Sequence, residues 1–282
     1  MKSILVTGSS SGIGAAVCLH FAKKGWKVFG SVRKIEDGIK LKEICGDNFT
    51  PLLFDVTDRR NIEDAVTILN KELEGLGLDC LVNNAGINIP GPIEYQDTDQ
   101  IRKVFEVNIM GVINCIQAFL PSLKKSKDST IINISSMAGK TGLPMQGSYC
   151  MTKFGLEGLS ESLRRELLIY GIKVVVIGPG AIESAIWEKI HEDDYTTYTD
   201  TIYENAFSKL DFMLNKARDS ALPANVIAKK VEDIVTANNP KIRYTVAAFK
   251  HKLMSKMPKK LLLSLIHISE PTRPLYISYA VF

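Results

Sequence analysis

Tyr149 and Lys153 stand four residues apart, a spacing that places both side chains on one face of a helix. Two hydroxyls, Ser135 and Ser136, directly follow the β-rich run Thr130–Ile134. A phenol, an ammonium and a hydroxyl brought together could hold an oxygen atom and handle a proton. Tyr-x-x-x-Lys alone is a chance pattern, so its meaning depends on where the elements carry it. A second chemical motif opens the chain: Thr7-Gly8-x-x-x-Gly12-x-Gly14, with Ser10, Ser11 and Ile13 inside it. Glycines let backbone approach a pyrophosphate closely, and a helix starting there offers free N–H groups and a partial positive charge. The spacing is neither GxGxxG nor a P-loop, because no Gly-Lys-Ser/Thr follows.

The elements that position these residues alternate. Short apolar runs at Ser3–Thr7, Trp26–Val32, Thr50–Phe54, Asp79–Val82, Thr130–Ile134, Ile172–Ile177 and Lys241–Val246 predict seven strands. Helical spacing appears between them: after the glycine turn up to Gly25, at Ile62–Leu73, over Asp99–Leu120 and over Gly147–Tyr170. Continuously apolar strands joined by helix-length crossovers predict an α/β fold, a mostly parallel sheet with helices on both faces. Ligands of such sheets sit beyond the carboxyl ends of the strands, and each motif falls at such an end.

The end of strand two bears on the choice of dinucleotide. An NAD site places a carboxylate there, whereas this strand ends Ser31-Val32-Arg33-Lys34. Arg33 is placed to pair with a 2′-phosphate, which favours NADP(H), with NAD(H) possible. The plainer reading of Arg33 is a solvated surface charge. Ser11 is neutral, so the glycine turn supplies no second cation.

Composition frames this reading. The 282 residues are 45% hydrophobic and 23% charged, with a net charge of +4, and no repeat or linker divides them. The mild basic excess points to no nucleic-acid partner. Five scattered cysteines, Cys18, Cys45, Cys80, Cys115 and Cys150, read as reduced, mostly buried thiols of a cytoplasmic protein. The first strand begins at once, leaving no room for a signal peptide, and no apolar run is long enough to span a bilayer. None of the four His residues sits in a metal motif.

Taken in order, Thr7-Gly8-x-x-x-Gly12-x-Gly14, Asp55, Asn83-Asn84-Ala85-Gly86, Asn108, Ser136, Tyr149-x-x-x-Lys153 and Pro179-Gly180 resemble the short-chain dehydrogenase/reductase family, over about residues 1–245. The resemblance implies a Rossmann-type doubly wound sheet and hydride transfer between a nicotinamide and a secondary alcohol or carbonyl. It implies that Tyr149 is the general acid/base, its phenol brought below the usual value near 10 by the Lys153 ammonium and the nicotinamide charge. Lys153 would also bind the nicotinamide ribose, Ser136 would hold the substrate oxygen, and Asn108 would position a proton-relaying water. Ser135 is the other candidate hydroxyl, though the family's spacing to the tyrosine favours Ser136. Asp55 and Val56 would meet the adenine, and Asn84, Ala85 and Gly86 the adenosine side. Pro179, Gly180, Ile182 and Ser184 would meet the nicotinamide. Asn83-Asn84-Ala85-Gly86 can equally be a structural turn. The family also implies a homodimer or homotetramer built on the helices near Asp99–Leu120 and Gly147–Tyr170.

Residues 181–222 would form a lid, and their aromatic and aliphatic content suits an apolar substrate or lid packing alike. The sequence Gly86–Tyr95 and the residues around Trp187 resemble the hydroxysteroid and retinol dehydrogenase branch. Lysines and apolar residues interleave over Lys250–Leu261, an amphipathic pattern that fits a surface helix docked on the domain or a peripheral membrane contact. Leu263–Phe282 has no helical period and resembles translated sequencing-adapter DNA, so the expected domain is 1–262. A dinucleotide-binding regulator on the same fold is the alternative, although regulators tend to lose the tyrosine or lysine that this chain keeps. An epimerase or dehydratase would carry a longer C-terminal substrate domain.

Overall fold

The computed structural model describes residues 1–183, 198, 201–204, 215 and 218–248. Seven parallel strands lie in the order β3-β2-β1-β4-β5-β6-β7. They are β1 Ser3–Val6, β2 Lys27–Val32, β3 Phe49–Leu53, β4 Cys80–Asn83, β5 Thr130–Ile134, β6 Lys173–Pro179 and β7 Arg243–Val246. The seven helix-crossed strands expected from the sequence are all present, and the doubly wound architecture follows.

The apolar runs are continuous because both faces are covered. In β1, Leu5 points to one face and Ile4 and Val6 to the other. On the first face, Leu5, Phe29, Leu81 and Ile131 pack against α3 (Arg59–Glu72), α5 (Gly111–Lys125) and α6 (Gly147–Glu166), through residues such as Leu69, Phe119 and Leu156. On the second, Val6, Val28, Val82 and Ile132 pack against α1 (Gly12–Lys23), α2 (Ile35–Cys45) and α7 (Asn225–Thr236), through Val17, Phe21 and Val231.

Three local expectations change. The helix predicted over Asp99–Leu120 is α4 (Thr98–Phe105), a π-helical turn at Glu106–Met110, then α5. It continues through Pro121 to Lys125, because Leu123 is buried and Ser122 is tied by its hydroxyl to Asn70 (2.8 Å) and by its carbonyl to the Leu78 N–H (2.9 Å). At 28 residues, Thr98–Lys125 is also long and apolar enough to cross a membrane by composition, which corrects the sequence reading. Half of its apolar window is buried inside the fold, so it sits as a core helix. Most of the expected lid, Ser184, the amphipathic Lys250–Leu261 stretch and the Leu263–Phe282 tail lie outside the described residues.

Candidate active site

The sheet order reverses between β1 and β4, and a cavity of about 600 Å³ opens at the carboxyl ends there. One wall is the turn from β1 into α1. Gly8 has φ +64°, and a Cβ on it would stand 2.8 Å from the Ala85 Cα, so the turn requires glycine. Ser10, Ser11, Gly12 and Ile13 line the cavity. The α1 N-terminus has no side-chain cap and no acid in its first turn. Its orphan N–H groups therefore remain available to an anion. Thr7 and Gly14 lie beneath the lining instead. The Thr7 hydroxyl accepts from the Asn84 and Ala85 N–H groups (both 3.0 Å). A Cβ on Gly14 would collide with the Gly8 carbonyl. The Asn83–Gly86 turn is thus structural and site-forming at once: Asn84 donates to the Thr7 and Gly8 carbonyls (2.9 and 3.0 Å), while Asn84, Ala85 and Gly86 face the cavity.

At the far end, Arg33 and Asp55 line the cavity as a loose ion pair, 3.9 Å apart, with the Arg33 side chain 66% exposed. Val56 lies beside them, and Pro179, Gly180 and Ile182 line the opposite end. An uncapped helix start along one wall and an exposed guanidinium at the end of the same groove fit the phosphates of a dinucleotide.

Ser136, Tyr149 and Lys153 meet in the same cavity. Ser136 stands two residues after β5 and caps a short 3-10 turn, its oxygen accepting from the Ala138 N–H (3.1 Å). Tyr149 and Lys153 sit one turn apart near the start of α6. Both Ser135 and Ser136 line the cavity, and Ser136 lies close enough to Tyr149 to favour its ionised form. The Ser135 hydroxyl is tucked beneath the Met137–Gly139 turn, against Gly139. The Lys153 ammonium donates to the Ile134 carbonyl (3.0 Å) and lies 5.6 Å from the Tyr149 ring centre.

Burial pushes the Tyr149 phenol up to about 12, and the hydrogen bond from Ser136 opposes that rise. Burial likewise pulls Lys153 down to about 8, against the pull of the Glu157 carboxylate. The expected lowering of the phenol needs the nicotinamide charge beside the Lys153 ammonium; in the protein by itself burial is the largest influence on Tyr149. Asn108 lies in the π-helical turn, fully buried and off the cavity lining. Its amide accepts from the Ile87 N–H (2.8 Å) and donates to the Ile87 carbonyl (2.9 Å) and the Thr152 hydroxyl (3.1 Å). It clamps the segment after β4 to the second turn of α6, between Tyr149 and Lys153.

Other residues of the lining escaped sequence reasoning. Asn88, Lys103 and Glu106 face the cavity. Lys103 and Glu106 are three apart on a predicted helix, which reads as a solvated charge pair. Asn88 stands two residues beyond the Asn83–Gly86 motif, and that adjacency was its available signal. Arg243 of β7 also went unread. Its guanidinium crosses Gly178, where a Cβ would strike it, and donates to both Glu157 carboxylate oxygens (3.0 Å each), the Thr245 hydroxyl (2.6 Å) and the Ser136 carbonyl (3.4 Å).

Known proteins agree with this architecture. The family model described as short chain dehydrogenase matches residues 2–195. The NADPH-dependent 3-dehydrocapnine reductase of Ornithobacterium rhinotracheale is 40% identical over 260 residues, covering 91% of each chain. Retinol dehydrogenase 7 of Rattus norvegicus is 27% identical over 274 residues, covering 91% of this chain and 85% of its own. A short-chain dehydrogenase/reductase from Burkholderia phymatum, solved in complex with NAD, superposes with a TM-score of 0.77 at 22% identity, covering 97% of both chains, and attests the fold. The chain belongs to the short-chain dehydrogenase/reductase family. It is accordingly an NAD(P)-dependent oxidoreductase that acts between alcohol and carbonyl groups.

Proposed function

We propose that this protein is an NADPH-dependent reductase that converts a small-molecule carbonyl to a secondary alcohol, with Tyr149 as the proton donor. The observation that carries the reading is one groove lined by Arg33 and, further along, by Ser136, Tyr149 and Lys153 together. NADPH would lie along it, with the pyrophosphate at the N–H groups of Ser10–Ile13 and the 2′-phosphate at Arg33. The bound cofactor supplies the hydride. Ser136, its oxygen already accepting from the Ala138 N–H, can donate to the substrate carbonyl oxygen. Tyr149 then gives that oxygen the proton that balances the hydride added at carbon. Lys153 lies behind the phenol, where it can bind ribose hydroxyls and return a proton. Asn108 positions the Ile87 backbone and α6 that flank it.

The relative named for NADPH-dependent reduction of 3-dehydrocapnine supports both cofactor and direction, and makes that ketone the first substrate to try. Ser184 stays in the proposed nicotinamide contact set on the resemblance alone. Exposed Phe105, Met151 and Phe154, on α4 and α6, support assembly as a dimer or tetramer. The five free thiols suit a reducing, cytoplasmic setting. The test is loss of nicotinamide absorbance with NADPH, 3-dehydrocapnine and a panel of carbonyls. Tyr149→Phe should lower kcat by about 10²–10⁴-fold while leaving NADPH binding by fluorescence intact. Full turnover in that variant would reject the mechanism.

A further inference from the structure

The catalytic end of the groove holds a buried polar group that the chemistry above does not use. Asn88 lines the same cavity as Ser136 and Tyr149 and is only 8% exposed. Its amide nitrogen donates to the Gln146 side-chain oxygen (3.4 Å). Its own side-chain oxygen is buried and has no partner among the described residues. A buried acceptor left unpaired is costly, and a native site retains one where a ligand completes it.

The surroundings fix where that oxygen stands. Asn88 follows Ile87, whose N–H and carbonyl are both held by Asn108. Gln146 caps α6 three residues before Tyr149 and is itself buried. Three residues further on, the Gly91 N–H donates to the Met145 carbonyl (2.7 Å), and Gly91 pairs with Gln146 as an isolated bridge. The 87–91 segment is therefore stitched to the start of the helix that carries Tyr149. The backbone on both sides of Asn88 is thus held, and its side chain is anchored by the single bond to Gln146.

We propose that Asn88 is a specificity-determining residue whose side-chain oxygen accepts a hydrogen bond from a hydroxyl or amine that the substrate carries close to its reacting carbonyl. The inference rests on the carbonyl reduction proposed above and narrows its substrate class from carbonyl compounds at large to ketones with a neighbouring hydrogen-bond donor. A site built around a buried acceptor discriminates strongly, because an analogue without the donor leaves that acceptor unpaired.

Three ketones of equal chain length test it: a 2-hydroxy ketone, its 2-methoxy ether and the parent alkyl ketone. With NADPH, the wild-type protein should reduce the hydroxy ketone with kcat/KM about 10- to 100-fold above the other two. Asn88→Leu should erase that preference, bringing kcat/KM for the hydroxy ketone down to that for the alkyl ketone. Asn88→Asp, which keeps an acceptor in nearly the same shape, should retain it, and NADPH binding by fluorescence checks that each variant is folded. Equal efficiency on all three ketones, or an undiminished preference in Asn88→Leu, overturns the assignment. Preference for the methoxy ether also overturns it, because the amide nitrogen would then face the cavity. If no ketone is reduced, carbonyl reduction fails as the function. Calorimetric binding of the matching diol and its monomethyl ether to the NADP-loaded protein still decides the role of Asn88. Tighter diol binding that Asn88→Leu abolishes supports it, and equal binding overturns it.

Discussion

At the scale of single residues, the site is held in a conformation that costs stability. Lys153 is 5% exposed, and burial lowers its value from 10.5 to about 8. The folded protein thus binds this proton more weakly than the unfolded chain does. The sign follows: the penalty is fully present below pH 8, shrinks between 8 and 10.5, and vanishes above 10.5, where the lysine is neutral in both states. A gap of that size is about 3 kcal/mol at pH 7. Lys153→Met removes the charge but strands the Ile134 carbonyl, so a net gain of about 1–2 kcal/mol is expected. Thermal unfolding should show a higher Tm than wild type at pH 7, an advantage that shrinks above pH 8 and a lower Tm than wild type above pH 10.5, where only the stranded carbonyl remains, with turnover lost. A variant less stable than wild type at pH 7 would mean that Lys153 is a structural group first.

At the scale of elements, Arg243 ties three of them. It joins β7, α6 through Glu157, and the loop after β5 through the Ser136 carbonyl. Both side chains of the pair are largely buried, so removing one partner leaves a charge uncompensated. Arg243→Met should destabilise by about 2–4 kcal/mol and lower kcat, because the Ser136 carbonyl loses its anchor. The double variant Arg243→Met with Glu157→Gln should recover much of the Tm but not the kcat. Recovery of both would reduce the pair to ordinary packing. Much of this layer was legible beforehand: Ser136, Tyr149, Lys153 and Arg33 were readable because each stands at the end of an apolar run or one helical turn from a partner. Arg243 was not, since an arginine at the start of a short strand looks solvated until the sheet order places β7 beside β6. The π-helical turn at Glu106–Met110 also left no periodic signal, because five residues within a long amphipathic pattern do not shift it enough to read.

At the scale of the whole molecule, the groove lies across the seam of the sheet. Its lining draws on β2, β5 and β6, on the loops after β1, β3 and β4, on the start of α1, and on α4 and α6, so it touches elements packed on both faces. A dinucleotide seated there would bridge the two cores, and its binding energy would appear as stability of the entire fold. Saturation at one hundred times Kd adds about 2.7 kcal/mol. For a protein of this size that raises the Tm by about 5 °C or more. The Arg33–Asp55 pair gives this linkage a signature that separates the two nicotinamides. The exposed guanidinium, 3.9 Å from its carboxylate, is held too loosely to keep it from a 2′-phosphate. NADPH should therefore raise the Tm at lower concentration than NADH, and added salt should narrow the gap, since the contact is near the surface. Arg33→Ser should cancel the NADPH advantage and leave the NADH shift nearly unchanged, because the pyrophosphate cradle at Ser10–Ile13 is untouched. Thermal shift against cofactor concentration reads all three outcomes, and an NADH shift equal to or above that of NADPH in the wild type would place the cofactor preference elsewhere than Arg33.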